Sequence, residues 1–190
     1  MAASVAARKR LPGLTFLKMP GTFFRRPPYA SRCALRHLFE RLPVSPAARE
    51  SVITVRVNYS ETDQMGVVYH ARYVVWLDMA RTEHLREAGF SYKELEDQGI
   101  RLVVTDLRIR YAGPARYDDL VRIRCRVREV ASRKVVFDYV IEHAENGVPM
   151  ATAETALVCL DRDHRLSRLP ANVVAALQPT GSDGIEGWQD

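Results

Sequence analysis

Between residues 101 and 160 of this 190-residue chain, apolar side chains recur at every second position through four successive segments, with no helix-period stretch between them. Side chains of a strand alternate between its two faces, so each segment reads as a strand with one buried side. A parallel crossover needs a dozen or more intervening residues, and these segments are separated by far fewer. They must therefore pair antiparallel. In the first, Val103, Thr105, Leu107, Ile109 and Tyr111 are expected to share one face, and Ala112-Gly113-Pro114-Ala115 breaks the strand ahead of Asp118-Asp119. In the second, Val121, Ile123, Cys125 and Val127 alternate with Arg122, Arg124, Arg126 and Arg128. Val135, Phe137, Tyr139 and Ile141 mark the third, and Glu145-Asn146-Gly147 turns the chain onto a fourth over residues 150–160.

Ahead of this block the period changes. Residues 51–58 alternate as a further strand, with Ile53, Val55 and Val57 on one side. Over residues 71–88, Tyr73, Trp76, Leu77, Ala80, His84 and Ala88 recur at steps of three and four, one face of a helix that Gly89 is placed to stop. Ser91 and Glu94 have the spacing of a capping box, which predicts a short helix over residues 92–98 ended by Gly99. Pro170 opens another short helix through Leu177. Strand, long helix, short helix and four strands make an α+β pattern. The expected architecture is an antiparallel sheet of about five strands wrapped around one long central helix.

A chain of 190 residues, 47% of them hydrophobic, is enough for one core and not for two large domains. Its net charge of +5 suggests nucleic acid until it is divided along the chain. Residues 1–50 hold ten Lys and Arg against two Glu, whereas residues 51–190 hold eighteen against twenty-one acids. The basicity belongs to an N-terminal extension, and the remainder offers nucleic acid no electrostatic footing. Residues 1–39 lack acids and carry Pro12, Pro20, Pro27 and Pro28, so residues 1–50 read as a disordered extension or an Arg-rich organelle-targeting segment. Residues 51–178 form the domain and residues 179–190 a loose tail. Cys33, Cys125 and Cys159 are odd in number and widely spaced, which favours neither a disulfide framework nor zinc and points to a reducing compartment. The expected location is the cytoplasm, or an organelle matrix if residues 1–50 are a targeting segment. No apolar run approaches the roughly 18 to 20 residues of a membrane span.

Chemistry concentrates between the first strand and the long helix. Asp63 stands in a loop that leads into a helix N-terminus, where unpaired N–H groups and the positive dipole end suit a developing oxyanion. Gly66 lets that loop approach a substrate closely. Tyr59-x-x-x-Asp63, Gly66-Val67-Val68-Tyr69-His70, Tyr73, Trp76 and Arg81-Thr82-Glu83 together resemble hotdog-fold acyl-CoA thioesterases of the 4-hydroxybenzoyl-CoA thioesterase class. The likeness is nearest to the Tol-Pal-associated acyl-CoA thioesterase branch and extends more weakly over residues 52–178, including Tyr-Ala-Gly-Pro-Ala-Arg-Tyr-Asp-Asp at 111–119.

The resemblance implies a hotdog fold and a thioester hydrolase that releases free acid and CoA without metal or redox cofactor. It implies Asp63, His70 and Tyr59 as catalytic residues, the backbone N–H near His70 as oxyanion donor, and substrate contacts by Gly66, Val68, Tyr69, Arg72 and Tyr73. It also implies a homodimer joined sheet edge to sheet edge with the active site at the interface, and leaves open whether the assembly is that dimer or a tetramer of paired dimers. Asp63 acts as a general base on water or as a nucleophile that forms a mixed anhydride; the residues leave both open. His70 steers the carboxylate or protonates the leaving thiolate. Arg72 departs from the small polar residue usual in such a family, which leaves the acyl group open.

Other residues carry plainer readings. His84 on the apolar helix face suits core packing better than ligation. The arginine ladder at 122, 124, 126 and 128 is a charged solvent face or a phosphate site. Glu83 is a solvated helix residue or a brace for the loop, and Asp161 with Asp163 lacks further metal ligands. The rival functions are hydrolysis of acyl carrier protein thioesters, which needs a basic rim for an acidic carrier, and a non-catalytic acyl-binding or scaffold module.

Overall fold

The computed structural model describes residues 50–179; the expected extension and tail therefore lie outside the described residues, apart from the extension's last residue and the tail's first. The first strand, β1 (Glu50–Arg56), leads through a 3-10 turn (Tyr59–Glu61) into the long helix α1 (Arg72–Glu87) and the short helix α2 (Tyr92–Asp97). Strands β2 (Arg101–Tyr111), β3 (Leu120–Val130), β4 (Lys134–His143) and β5 (Pro149–Leu160) follow, then helix α3 (Ala171–Leu177). The five strands form one sheet in the order β1-β3-β4-β5-β2, and every pairing is antiparallel. This is the α+β arrangement the alternating pattern called for, and the hotdog fold the resemblance implied.

The inner faces of β3 and β4 bury Val121, Ile123, Cys125, Val127, Val135, Phe137, Tyr139 and Ile141 against Tyr73, Trp76, Leu77, Ala80 and Leu85 of α1. Each large apolar side chain so buried contributes about 1.5–3 kcal/mol relative to exposure. His84 joins this core: its ring lies edge-on to Phe137, and its Nδ1 is 2.8 Å from the Ser51 hydroxyl. Ser51 also donates to the Glu87 carboxylate, so its one proton is committed there and its oxygen accepts from His84 Nδ1–H.

Glycine stops both helices for one physical reason. Gly89 takes φ +93 and donates to Arg86, while Phe90 donates to Leu85, so the last carbonyls of α1 are satisfied by a left-handed cap. Gly99, at φ +85, and Ile100 repeat this on Glu96 and Leu95 at the end of α2, whose start has the Ser91–Glu94 capping box.

One expectation fails in β2. The pairing with β5 shifts between Val104 and Asp106, so Thr105 is an extra residue in a bulge. Leu107, Ile109 and Tyr111 lie opposite the inward Thr155, Ala153 and Ala151, but Val103 lies opposite Val158 on the outer face and Val104 takes its place inside. A one-residue insertion reverses every side chain beyond it.

On the outer sheet face each ladder arginine has an acidic partner. Arg122 pairs with Glu142 (3.0 Å), Arg124 with Glu50 (3.0 Å), Arg126 with Asp138 (3.3 Å) and Arg128 with Glu154 (2.7 Å). The hollow lined by Arg108, Arg110, Arg124, Arg126, Asp138 and Glu154 is thus an interlaced charged surface away from the helix side. Glu83 pairs with Arg86 along α1. Asp161 caps its own turn, accepting from the N–H groups of Asp163 and Arg165. Among the described residues no helix is long and apolar enough to cross a membrane, and no group of three or more His, Cys, Asp or Glu could hold a metal ion.

Candidate active site

The segment between β1 and α1 is a loop closed on itself. Thr62 and Val68 form an antiparallel bridge, and the tip between them turns tightly, with Asp63 N–H donating to Val67 and Gly66 N–H donating back to Asp63. Gly66 sits at φ +71 with open space where a Cβ would project, so backbone conformation alone calls for glycine. Asp63 is half-buried, and its Oδ1 accepts the Met65 N–H at 2.8 Å. Its other oxygen has no partner among the described residues.

The run at 111–119 supports this loop from below. Ala115, fully buried, accepts Val68 N–H at 2.8 Å and donates to the Tyr73 hydroxyl oxygen at 3.3 Å. Val57 N–H reaches Asp119 O at 3.0 Å, and Arg116 reaches Gly66 O at 3.5 Å. The resemblance of this run to the family's pattern thus has a local cause: it is the shelf on which the loop rests.

Glu61 is the residue that reading the sequence passed over. It is 5% exposed, and its carboxylate takes three donors from three places: Asn58 N–H at 2.9 Å, the Arg72 guanidinium at 3.0 Å and the Trp76 indole at 3.2 Å. Its own carbonyl accepts Tyr69 N–H at 2.9 Å. Strand end, loop return and helix start all meet on this side chain. Burial by itself would raise its pKa, but the bonds from Asn58, Arg72 and Trp76 and the charge of Arg72 outweigh it, and the net shift is downward. A capping signal was present in the Asn58–Glu61 spacing, yet an acidic loop residue looks like solvent-facing charge until the fold closes over it.

The helix opens one residue later than the periodicity suggested, at Arg72, with Ala71 as its cap. Arg72 N–H donates to Tyr69 O at 2.8 Å and the Tyr111 hydroxyl donates to His70 O at 2.9 Å, while the N–H groups of His70 and Ala71 donate to no carbonyl among the described residues. Two consecutive peptide planes are therefore held by their carbonyls and present their N–H sides at the positive end of a 16-residue helix.

The proposed side chains are distributed around this feature. His70 is exposed, with its ring 4.3 Å from that of Tyr69. Tyr59 is 78% exposed and meets the edge of Tyr117, 5.7 Å between centroids. No hydrogen bond joins the side chains of Asp63, His70 and Tyr59 among the described residues. Tyr69 is half-exposed at the rim, whereas Val68 and Tyr73 are buried beneath the loop, and Arg72 turns toward Glu61. Burial raises the Tyr73 hydroxyl above its ordinary value, so it remains protonated. The arrangement brings to one loop a carboxylate with one unpartnered oxygen, two N–H groups that donate to no carbonyl among the described residues, and an exposed imidazole.

Residues 57–177 match the thioesterase-like superfamily. The chain is 39% identical over 122 residues to the acyl-CoA thioester hydrolase YbgC of Escherichia coli O157:H7, covering 64% of this chain and 90% of that protein. Among solved structures it is similar to the hypothetical protein TT1821 of Thermus thermophilus, at 38% identity and TM-score 0.64 over 67% of this chain and 96% of that one. It is also similar to a DHNA-CoA thioesterase of Staphylococcus aureus, at 33% identity and TM-score 0.59 over 63% and 79% of the two chains. Fold and likeness agree: this chain is a hotdog-fold thioester hydrolase belonging to the thioesterase-like superfamily.

Proposed function

We propose that the chain hydrolyses acyl-CoA thioesters to a free carboxylic acid and CoA, with Asp63 as the working carboxylate. The observation that carries this reading is the juxtaposition on one pinned loop of an Asp63 oxygen without a partner and the undonated N–H groups of His70 and Ala71. With the thioester carbonyl oxygen against those N–H groups, charge that develops on it is met by donors already in place. As a base, Asp63 takes a proton from water, the resulting hydroxide adds to the carbonyl carbon, and collapse expels the CoA thiolate, which is then protonated. As a nucleophile, its oxygen adds to the same carbon, the thiolate leaves, and water cleaves the mixed anhydride. The His70 imidazole is exposed at the rim and supplies the thiolate's proton in either route.

Two chains are proposed to pair along β2. This strand is a sheet edge, and Val103, Val104, Leu107 and Tyr111 are 38–46% exposed on it, so an apolar edge with open backbone groups awaits a partner. Tyr111 lies on that edge and donates to His70 O of the loop, which supports a site beside the proposed junction. The proposed location is the cytoplasm. The test of activity is release of free thiol from short, medium, long and aromatic acyl-CoAs, with an acyl carrier protein thioester alongside. Turnover of at least one acyl-CoA is expected; no thiol from any of them would overturn the proposal.

A further inference from the structure

Resting on that reading, we propose that Tyr111 is a positioning residue for catalysis, whose hydroxyl orients the His70–Ala71 peptide so that its N–H side faces the substrate carbonyl. The Tyr111 hydroxyl donates to His70 O at 2.9 Å. The C=O and N–H of one peptide unit lie in a common plane and point in opposite directions, so a bond that fixes the carbonyl fixes the amide. Pulling on the carbonyl also polarises the unit and strengthens its N–H as a donor. The preceding plane is fixed from within the backbone, by Arg72 N–H on Tyr69 O at 2.8 Å. Tyr111 supplies the corresponding bond for the second plane, and it is a side chain from another element, the end of β2.

The ring is separately anchored. It stands edge-on to Tyr73, 5.2 Å between centroids, and Tyr73 is itself buried and tied to Ala115. Tyr111→Phe keeps that packing and removes only the hydroxyl, which makes it a selective probe. A structural hydroxyl and a positioning one differ in what they move: the former changes stability, the latter changes turnover of bound substrate.

The experiment compares wild type and Tyr111→Phe for kcat and KM on an acyl-CoA that the wild type turns over, together with the amide nitrogen and proton signals of His70 and Ala71. The expected result is a kcat lower by about tenfold, a fraction of the effect of deleting an oxyanion donor outright, with KM within twofold and the thermal midpoint little changed. The Ala71 amide is expected to shift and to exchange faster. A kcat within twofold of wild type overturns the positioning role, and an unmoved Ala71 amide overturns the orienting bond itself. A wild type that releases no thiol from any acyl-CoA sinks the acyl-CoA reading and the catalytic half of this proposal together, and the amide signals still decide the other half.

Discussion

Replacing Asp63 by Asn separates the charge of this side chain from its architecture. Asp63 Oδ1 accepts the Met65 N–H at 2.8 Å, and an Asn oxygen accepts the same bond, so the turn that Gly66 completes remains intact. What is lost is the second, unpartnered carboxylate oxygen, replaced by an amide that neither takes a proton nor attacks a carbonyl. General-base action is worth about 10²–10⁴ in rate, which at about 1.36 kcal/mol per tenfold corresponds to a barrier higher by roughly 2.7–5.4 kcal/mol. Asp63→Asn should therefore lower kcat by at least about a hundredfold in the thiol-release assay, with a urea midpoint close to wild type. Asp63→Ala removes the turn bond as well and should cost about 1 kcal/mol more in stability while losing no more activity. A folded Asp63→Asn chain that turns over within about fivefold of wild type would refute the assignment.

Other outcomes follow from the same geometry. Gly66→Ala meets no atom and should cost about 1–2 kcal/mol for a left-handed backbone alone; Gly99→Ala sets its Cβ 2.6 Å from Arg162 Nε and also disturbs the Arg162 bond to Asp97 O, so urea unfolding should rank it clearly lower. Glu61 has a folded pKa below its ordinary 4.5, so its stabilisation is complete above that value and is lost as pH falls through the folded pKa. The gap in unfolding midpoint between wild type and Glu61→Gln should accordingly be wide at pH 6 and should shrink progressively as pH falls below 4.5, and a gap independent of pH would contradict an ionised Glu61. Leu107→Lys charges the exposed β2 edge and should halve the mass seen by light scattering; an unchanged mass argues against pairing there.

The elements of this fold were legible where burial is one-sided. Phe137, Tyr139 and Ile141 alternate because one face of β4 meets α1, and Tyr73, Trp76, Leu77 and Ala80 repeat because one face of α1 meets the sheet. The bulge at Thr105 was not legible, since Val103 and Val104 are both apolar and both exposed, and either fits either face. The ladder arginines were visible as a stripe, but their partners depend on strand register, which brings Glu142 beside Arg122 and Asp138 beside Arg126. At the site, Asp63 stood out as a carboxylate in the loop ahead of a helix N-terminus, within a motif that resembles the family, and Gly66 as the glycine of that loop. Glu61 did not, because its role comes from Arg72 and Trp76 folding back eleven and fifteen residues later.

Tyr111 is the last residue of β2, and β2 is one of the two edges of the sheet. The hydroxyl that holds His70 thus hangs from the strand on which a second chain would settle. A shift of that strand reaches the first turn of α1 through the Tyr111 hydroxyl and through its ring against Tyr73. Chains that pair there would become competent according to their own abundance. Control of this kind needs no effector molecule: gene dosage and local crowding would set the rate.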